Sequence, residues 1–116
     1  MLAEKALGVA LPSELRELLL ETNGVSASEY GPLLVWNIER IEKDNLDFRS
    51  FADFRDLYMP FDNLLFFGDN GGGDQFGYAI LNGVIRRPDI YRWNHENDAR
   101  EHAAYSLARY FEMWRL

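Results

Sequence analysis

The sequence contains no cysteine, which excludes disulfide bonds, thiolate metal sites and thiol catalysis. No apolar run approaches the ~20 residues of a membrane-spanning helix, so we expect no membrane span. The N-terminal segment carries an early acid, Glu4, and lacks a basic region followed by a long apolar stretch, unlike a signal peptide. These absences predict a cytoplasmic protein.

The motifs of nucleotide-binding proteins and serine hydrolases are also missing. Residues 71–73 are three glycines, but they lead into Asp74 and a strand pattern, whereas phosphate-binding loops open a helix and Walker A needs a lysine. No Gly-x-Ser-x-Gly elbow is present. The two histidines, His95 and His102, are too few for a zinc site without further protein ligands. We therefore predict no enzyme, no cofactor and no metal.

Basic residues are scarce relative to acidic ones. Lysine and arginine number 12 against 19 aspartates and glutamates, which gives a formal net charge of −7. Such a surface repels nucleic-acid phosphates and favours a basic partner. The acidic excess lies in the first half of the chain and in the glycine-rich segment, and plain solubility is an alternative explanation for it. The charge by itself predicts only that the chain binds no nucleic acid.

Apolar and aromatic residues, in contrast, are plentiful. They make up 47% and 15% of the chain, so disorder is not expected. A chain of 116 residues can bury about two-thirds of its unfolded surface in one core. The sequence shows no repeats and no Pro/Ser-rich linker. We predict one domain spanning residues 1–116.

The segment from residue 64 to residue 80 has the most informative pattern. Two apolar runs of strand length flank the three glycines, which are bracketed by Asp69 and Asp74. Consecutive glycines in a folded domain indicate left-handed dihedrals or a close approach of another group to the backbone. Asp69, Asn70 and Asp74 could offer oxygen ligands to calcium or magnesium, but their spacing does not match an EF-hand. We favour aspartates that cap N–H groups of the loop.

Helical patterns occur at both ends of the chain and in its middle. Asn23-Gly24 ends one helix with residues that tolerate left-handed dihedrals, and Pro60 ends a row of phenylalanines spaced every three residues. A capping box at residues 98–101 predicts the start of the last helix, and His102 then lies in its first turn. The expected helices are 2–7, 12–22, 38–46, 48–57 and a last one from residue 98.

Strand patterns occupy the remaining apolar segments. Asn82-Gly83 is a hairpin signature, with a returning strand expected at 84–86. The other expected strands are 33–38, 64–67, 76–80 and 90–93. This order predicts the α+β class, with a central, mainly antiparallel sheet, helices packed around it, and one sheet face covered.

Two tryptophans near predicted strands admit two interpretations. Trp36 and Trp93 are expected in the core, as large aromatic side chains usually are. Alternatively, they anchor a partner that meets one sheet face or its edge.

Three segments, in this order, resemble the SUKH superfamily, which is named partly for its fungal cell-wall-synthesis regulators. They are Leu7-Gly8-Val9-Ala10-Leu11-Pro12 with the helix into Asn23-Gly24; Leu65-Phe66-Phe67-Gly68-Asp69-Asn70-Gly71-Gly72-Gly73-Asp74; and Tyr91-Arg92-Trp93-Asn94-His95-Glu96. Together they span nearly the whole chain.

The resemblance implies an α+β fold and, for a bacterial member, a non-catalytic immunity protein that binds and neutralises a toxin, often a nuclease. The resemblance implies no catalytic residues for this chain. Five residues match the most recognisable motif of the family and are expected to serve the fold first: Gly68, Gly71, Gly72, Gly73 and Asp74.

A basic toxin domain is therefore the expected partner, and the acidic surface is expected to bind it. The candidate partner-binding residues are Asp44, Asp47, Asp53, Asp56, Asp69, Asn70, Trp36 and Trp93. Two alternatives stay open. One is a regulatory scaffold of the cell-wall-regulator type, and the other is a metal-dependent hydrolase that uses Asp69, Asp74 and His95.

Overall fold

The computed structural model describes residues 2–29 and 31–114. No helix in these two ranges combines the length and the apolar character needed to cross a membrane. The helices and strands of the described chain are, in order, α1 (Leu2–Leu7), α2 (Ser13–Thr22), β1 (Val25–Ser26), β2 (Leu33–Val35), α3 (Ile38–Ser50), α4 (Ala52–Leu57), β3 (Leu64–Asp69), β4 (Gln75–Ala79), β5 (Ile90–Trp93), β6 (Arg100–Ala104) and α5 (Leu107–Met113).

The central sheet is an antiparallel meander in the order β3-β4-β5-β6. Strands β1 and β2 form a separate antiparallel pair. This pair is joined to β3 by a hydrogen bond, in which the Trp36 N–H donates to the carbonyl of Phe67 over 2.7 Å. The α+β class with a mainly antiparallel sheet and helices around it is confirmed.

Both faces of β3 are covered, so the expectation that only one sheet face is covered was wrong. Leu64, Leu65, Phe66 and Phe67 are all buried, although successive residues of a strand point to opposite faces. On one face Phe66 packs against the rings of Phe48, Phe61 and Trp93. On the other face Phe67 packs against Tyr78 and Tyr110. A continuous apolar strand of this kind is typical of the middle layer of a three-layer arrangement.

The second helix ends as predicted. Asn23 has φ 47° and ψ 45°, and its N–H donates to the carbonyl of Leu19. Its side-chain oxygen also accepts from the Ile38 N–H over 2.9 Å, which links the end of α2 to the start of α3. The residue that ends one helix therefore helps to position the next one.

The predicted strand at residues 84–86 is absent. Asn82 and Gly83 do form the expected turn, with φ 53° and 77°, and Leu81 pairs with Val84. The chain then continues without regular structure to Ile90, and β5 occupies the place beside β4. Pro88 has no N–H to donate to a sheet, so this segment is poorly suited to a strand.

The predicted start of the last helix at Asp98 was also wrong. Asp98 has φ 61°, and residues 100–104 form the edge strand β6 instead. The helix begins at Leu107, where the Ser106 side chain accepts from the Arg109 N–H. Pairing with β5 outweighs the local helix signal, because residues that form a sheet gain their stability from neighbouring strands.

Candidate functional site

The glycine loop (residues 69–74) joins β3 to β4 and has the left-handed dihedrals that its glycines indicated. Gly71 has φ 81° and Gly73 has φ 107°. A β-carbon placed at Gly73 would lie 2.9 Å from ring atoms of His95. Glycine is therefore needed at this position both for the dihedral and for the imidazole that packs on it.

A closer approach to the backbone occurs at Gly68, which lies within β3 rather than in the loop. A β-carbon there would overlap the carbonyl oxygen of Leu34 and lie 2.7 Å from its carbonyl carbon. The same carbonyl oxygen accepts from the Tyr110 hydroxyl over 2.8 Å. Strand β2, strand β3 and helix α5 therefore meet at one glycine.

Asp69 anchors the first end of the loop. Its Oδ1 accepts from the Gly71 N–H over 2.8 Å, which is the capping role that we favoured. Its Oδ2 accepts from the indole Nε1 of Trp36 over 2.8 Å and from Arg40 over 3.2 Å. The Arg40 guanidinium also lies over the Trp36 ring, 4.3 Å from its centroid. This carboxylate thus connects the loop to α3.

Asp74 anchors the other end, but it caps a neighbouring segment rather than the loop itself. Its Oδ1 accepts from the His95 backbone N–H over 3.1 Å and lies 2.6 Å from His95 Nδ1. Arg92 Nε lies 3.9 Å from the Oδ2 atom. Burial of the carboxyl by itself raises the pKa of Asp74, but the bonds from His95 and the charge of Arg92 outweigh it and lower the pKa below its ordinary value of 3.8.

The lowered pKa of Asp74 predicts that its bonds to His95 stabilise the fold less at acid pH. A carboxyl with a depressed pKa contributes stability above its unfolded pKa, and the contribution is lost as the pH falls through its folded pKa. We expect Asp74→Asn to lower the free energy of unfolding by about 1–2 kcal/mol at neutral pH, and we expect the difference from wild type to shrink as the pH falls below the ordinary carboxyl pKa of 3.8. Urea unfolding across this range measures it, and a constant difference at every pH would contradict the assignment.

The loop carboxylates are already used within the chain. All four carboxylate oxygens of Asp69 and Asp74 face donors or a cation of the same chain. Asp69 contacts Trp36 and Arg40, whereas Asp74 pairs with His95, so the structure brings together only two members of the proposed hydrolase set. Across the residues that the structure describes, no three His, Cys, Asp or Glu side chains form a cluster able to hold a metal ion. Asp69 therefore fixes the glycine loop to Trp36 and α3, and Asp74 fixes it to the segment that contains His95.

The two candidate tryptophans lie in the core. Trp36 and Trp93 are both buried, and their indole N–H groups donate to Asp69 over 2.8 Å and to Asp98 over 2.7 Å. Neither indole offers a surface to a partner in this structure. Their positions match the core interpretation rather than the anchor interpretation.

The acidic candidates differ in the contacts that the structure describes. Arg40 binds Asp44 over 2.9 Å and Lys43 binds Asp47 over 2.6 Å, each pair one helical turn apart on α3. Asn70 accepts from the Gly72 N–H, which holds its side chain in the loop. Asp53 and Asp56 are both exposed on α4.

Asn45 is a structural residue that the sequence reasoning missed. It is buried on α3, and its side-chain amide bonds both the N–H and the carbonyl of Phe66, over 2.8 Å and 2.7 Å. The amide thereby occupies the place of a peptide from a neighbouring strand. Its polar side chain within the apolar stripe of a helix was the available signal, because buried polar groups need partners.

Comparison with known proteins identifies the family. The chain matches the family model SUKH_6, described as SMI1-KNR4 cell-wall, over residues 2–111. No curated protein and no solved structure matches it significantly. Because the matched range covers nearly the whole chain, this protein belongs to the SMI1-KNR4 family, and the resemblance seen in the sequence is confirmed.

Proposed function

We propose that this chain is a non-catalytic immunity protein that binds and neutralises a bacterial toxin domain of basic charge. The observation that carries this proposal is the family match over residues 2–111, because the family includes toxin-immunity proteins. The net charge of −7 supports a basic partner. Asp69 and Asp74 bond to groups of the same chain, which supports a binding role for the protein rather than a catalytic one.

The physical basis of neutralisation is occupation of the basic surface of the toxin. A nuclease toxin attracts phosphates with a basic groove, and an acidic protein can fill the same groove. Charge pairs across such an interface raise the rate of association and select the partner. The immunity protein then acts by exclusion and needs no catalytic residue.

Affinity capture tests the proposal. The immobilised chain is exposed to lysate of its own host at low and moderate salt, and the retained proteins are identified by mass spectrometry. We expect a basic toxin-domain protein whose affinity falls at least about tenfold between about 50 mM and about 500 mM salt, because salt screens exposed charges. An affinity that does not change with salt would remove the electrostatic part of the proposal.

A regulatory scaffold is the second candidate function, and the cell-wall description of the family favours it. Reproducible capture of a cell-wall-synthesis protein, with no toxin domain retained, would replace the immunity proposal with this one.

A further inference from the structure

The segment that contains α4 exposes an unusual amount of apolar surface. Phe51, Leu57 and Met59 are 51%, 68% and 58% exposed. Phe51 ends α3 with ψ 120° and precedes α4, so the chain changes direction there and displays its side chain. Single exposed apolar residues are ordinary, but three within one segment of nine residues concentrate exposed apolar surface there, and we call these three residues the patch. Concentrated exposed apolar surface is typical of interaction sites.

A groove lies next to this patch. It has a volume of about 400 Å³ and is lined by Phe48, Arg49, Phe54, Met59, Pro60, Phe61 and Asp62. The rings of Phe48, Phe54 and Phe61 pack on each other with centroids 5.1–6.2 Å apart, which gives the groove an aromatic wall. A groove of this kind can receive an apolar side chain of a partner.

Acidic side chains accompany the patch. Asp53 and Asp56 are exposed on α4. Residues three and four apart on a helix are neighbours, so Asp53 lies close to both Asp56 and Leu57. Asp62 and Arg49 both line the groove, so the groove itself has no excess of either charge, and α4 has one base, Arg55, against its two acids. A basic partner is favoured over a second copy of this chain, because each copy carries a net charge of −7 and two copies would repel each other.

Helix α2 offers the natural comparison. Leu20 is 73% exposed, with Glu17 and Glu21 exposed beside it on the same helix. It is the one large exposed apolar residue of that helix, all of which lies in the described range. Helix α2 therefore has exposed acidic side chains and one exposed apolar side chain, but it lacks a group of exposed apolar residues like that around α4.

We infer that the α4 face, formed by Phe51, Asp53, Asp56, Leu57 and Met59, is the surface that binds the partner. This inference rests on the proposed immunity function. The partner is a basic protein surface with an apolar side chain that enters the groove and with lysine or arginine side chains that pair with Asp53 and Asp56. The apolar centre supplies affinity, and the acidic rim supplies the salt dependence.

The test uses catalytically inactivated toxin domains of basic charge, encoded in the genome of the host, as probes for the full chain. Leu57→Arg is expected to weaken binding at least about 30-fold, as expected for a central contact residue. Asp53→Asn with Asp56→Asn is expected to weaken binding about tenfold at low salt and less at high salt. Leu20→Arg and Glu17→Gln with Glu21→Gln are the matched controls, and they are expected to bind within about threefold of wild type.

The outcomes separate the inference from the function on which it rests. If wild type binds a toxin domain and the α4 variants bind equally well, the surface assignment is overturned and the immunity function stands. If wild type binds none of the basic domains, the function fails and the inference fails with it. If wild type sediments as a dimer that Leu57→Arg dissociates, the face joins two copies, and the assignment to a toxin is overturned. Thermal melts of all variants establish that each is folded.

Discussion

Gly68→Ala is expected to lower the free energy of unfolding by about 3 kcal/mol or more. The added methyl group would overlap the backbone carbonyl of Leu34, and a backbone group cannot move aside as a flexible side chain can. Movement of β2 would also disturb the bond from the Tyr110 hydroxyl to the same carbonyl. Chemical denaturation measures the loss, and a melting temperature lower by more than about 10 °C should accompany it.

Gly72→Ala is the matched control for this substitution. A β-carbon at Gly72 would be 3.5 Å from its nearest atom, Asn70 Oδ1, which is an ordinary contact distance. We expect a change within about 1 kcal/mol, since alanine at a compatible position also restricts the unfolded chain. Equal effects of the two substitutions would contradict the assignment of Gly68 as the position at which the backbone of β2 lies against β3.

Asn45→Leu is expected to destabilise the protein by about 3 kcal/mol, even though it replaces a buried polar side chain with an apolar one. The reason is that the N–H and the carbonyl of Phe66 lose the partners they have in the wild type. Each buried backbone group left unsatisfied costs about 1–3 kcal/mol. Equilibrium unfolding measures the total.

Amide hydrogen exchange distinguishes this mechanism from a general loss of packing. The Phe66 N–H should exchange faster in Asn45→Leu under native conditions than its neighbours in β3 do. Glu42→Leu, on the same helix, serves as the control for added apolar surface and should leave the Phe66 N–H protected. A stability equal to wild type in Asn45→Leu would show that the bridge between α3 and β3 is dispensable.

The features that could be predicted from the sequence are those that depend on short-range backbone chemistry. The ends of α1 and α2, the turn at Asn82-Gly83 and the dihedrals of the glycine loop all follow from residues that tolerate left-handed conformations. The family resemblance rests on the same segments. These signals are local, so they do not depend on what the rest of the chain does.

The features that were missed depend on contacts between distant parts of the chain. Strand β6 contains no β-branched residue, and its pairing with β5 decides its structure. Asp98 lies in a capping-box pattern, yet its side chain binds Met59 N–H, Trp93 and Arg100 instead. A local pattern cannot show which donor a carboxylate will meet after folding.

In the candidate site, too, the residue types could be predicted from the sequence, whereas their contacts could not. The sequence pointed to the acidic side chains, but it could not distinguish Asp44 and Asp47, which are paired with cations on α3, from Asp53 and Asp56, which are exposed on α4. It predicted core positions for Trp36 and Trp93, but it could not show that their indole N–H groups donate to Asp69 and Asp98. The choice among the candidates required the packing of α3 and α4.

Protection of growing cells is the most direct test of the central claim, that this chain neutralises a toxin by binding it. Each basic toxin domain encoded by the host genome is expressed in active form in a sensitive strain, with and without this chain. We predict that the wild-type chain restores growth against one of these domains and that Leu57→Arg does not, while Leu20→Arg protects like wild type. Death of the cells with every toxin domain, at a confirmed level of folded chain, would contradict the account.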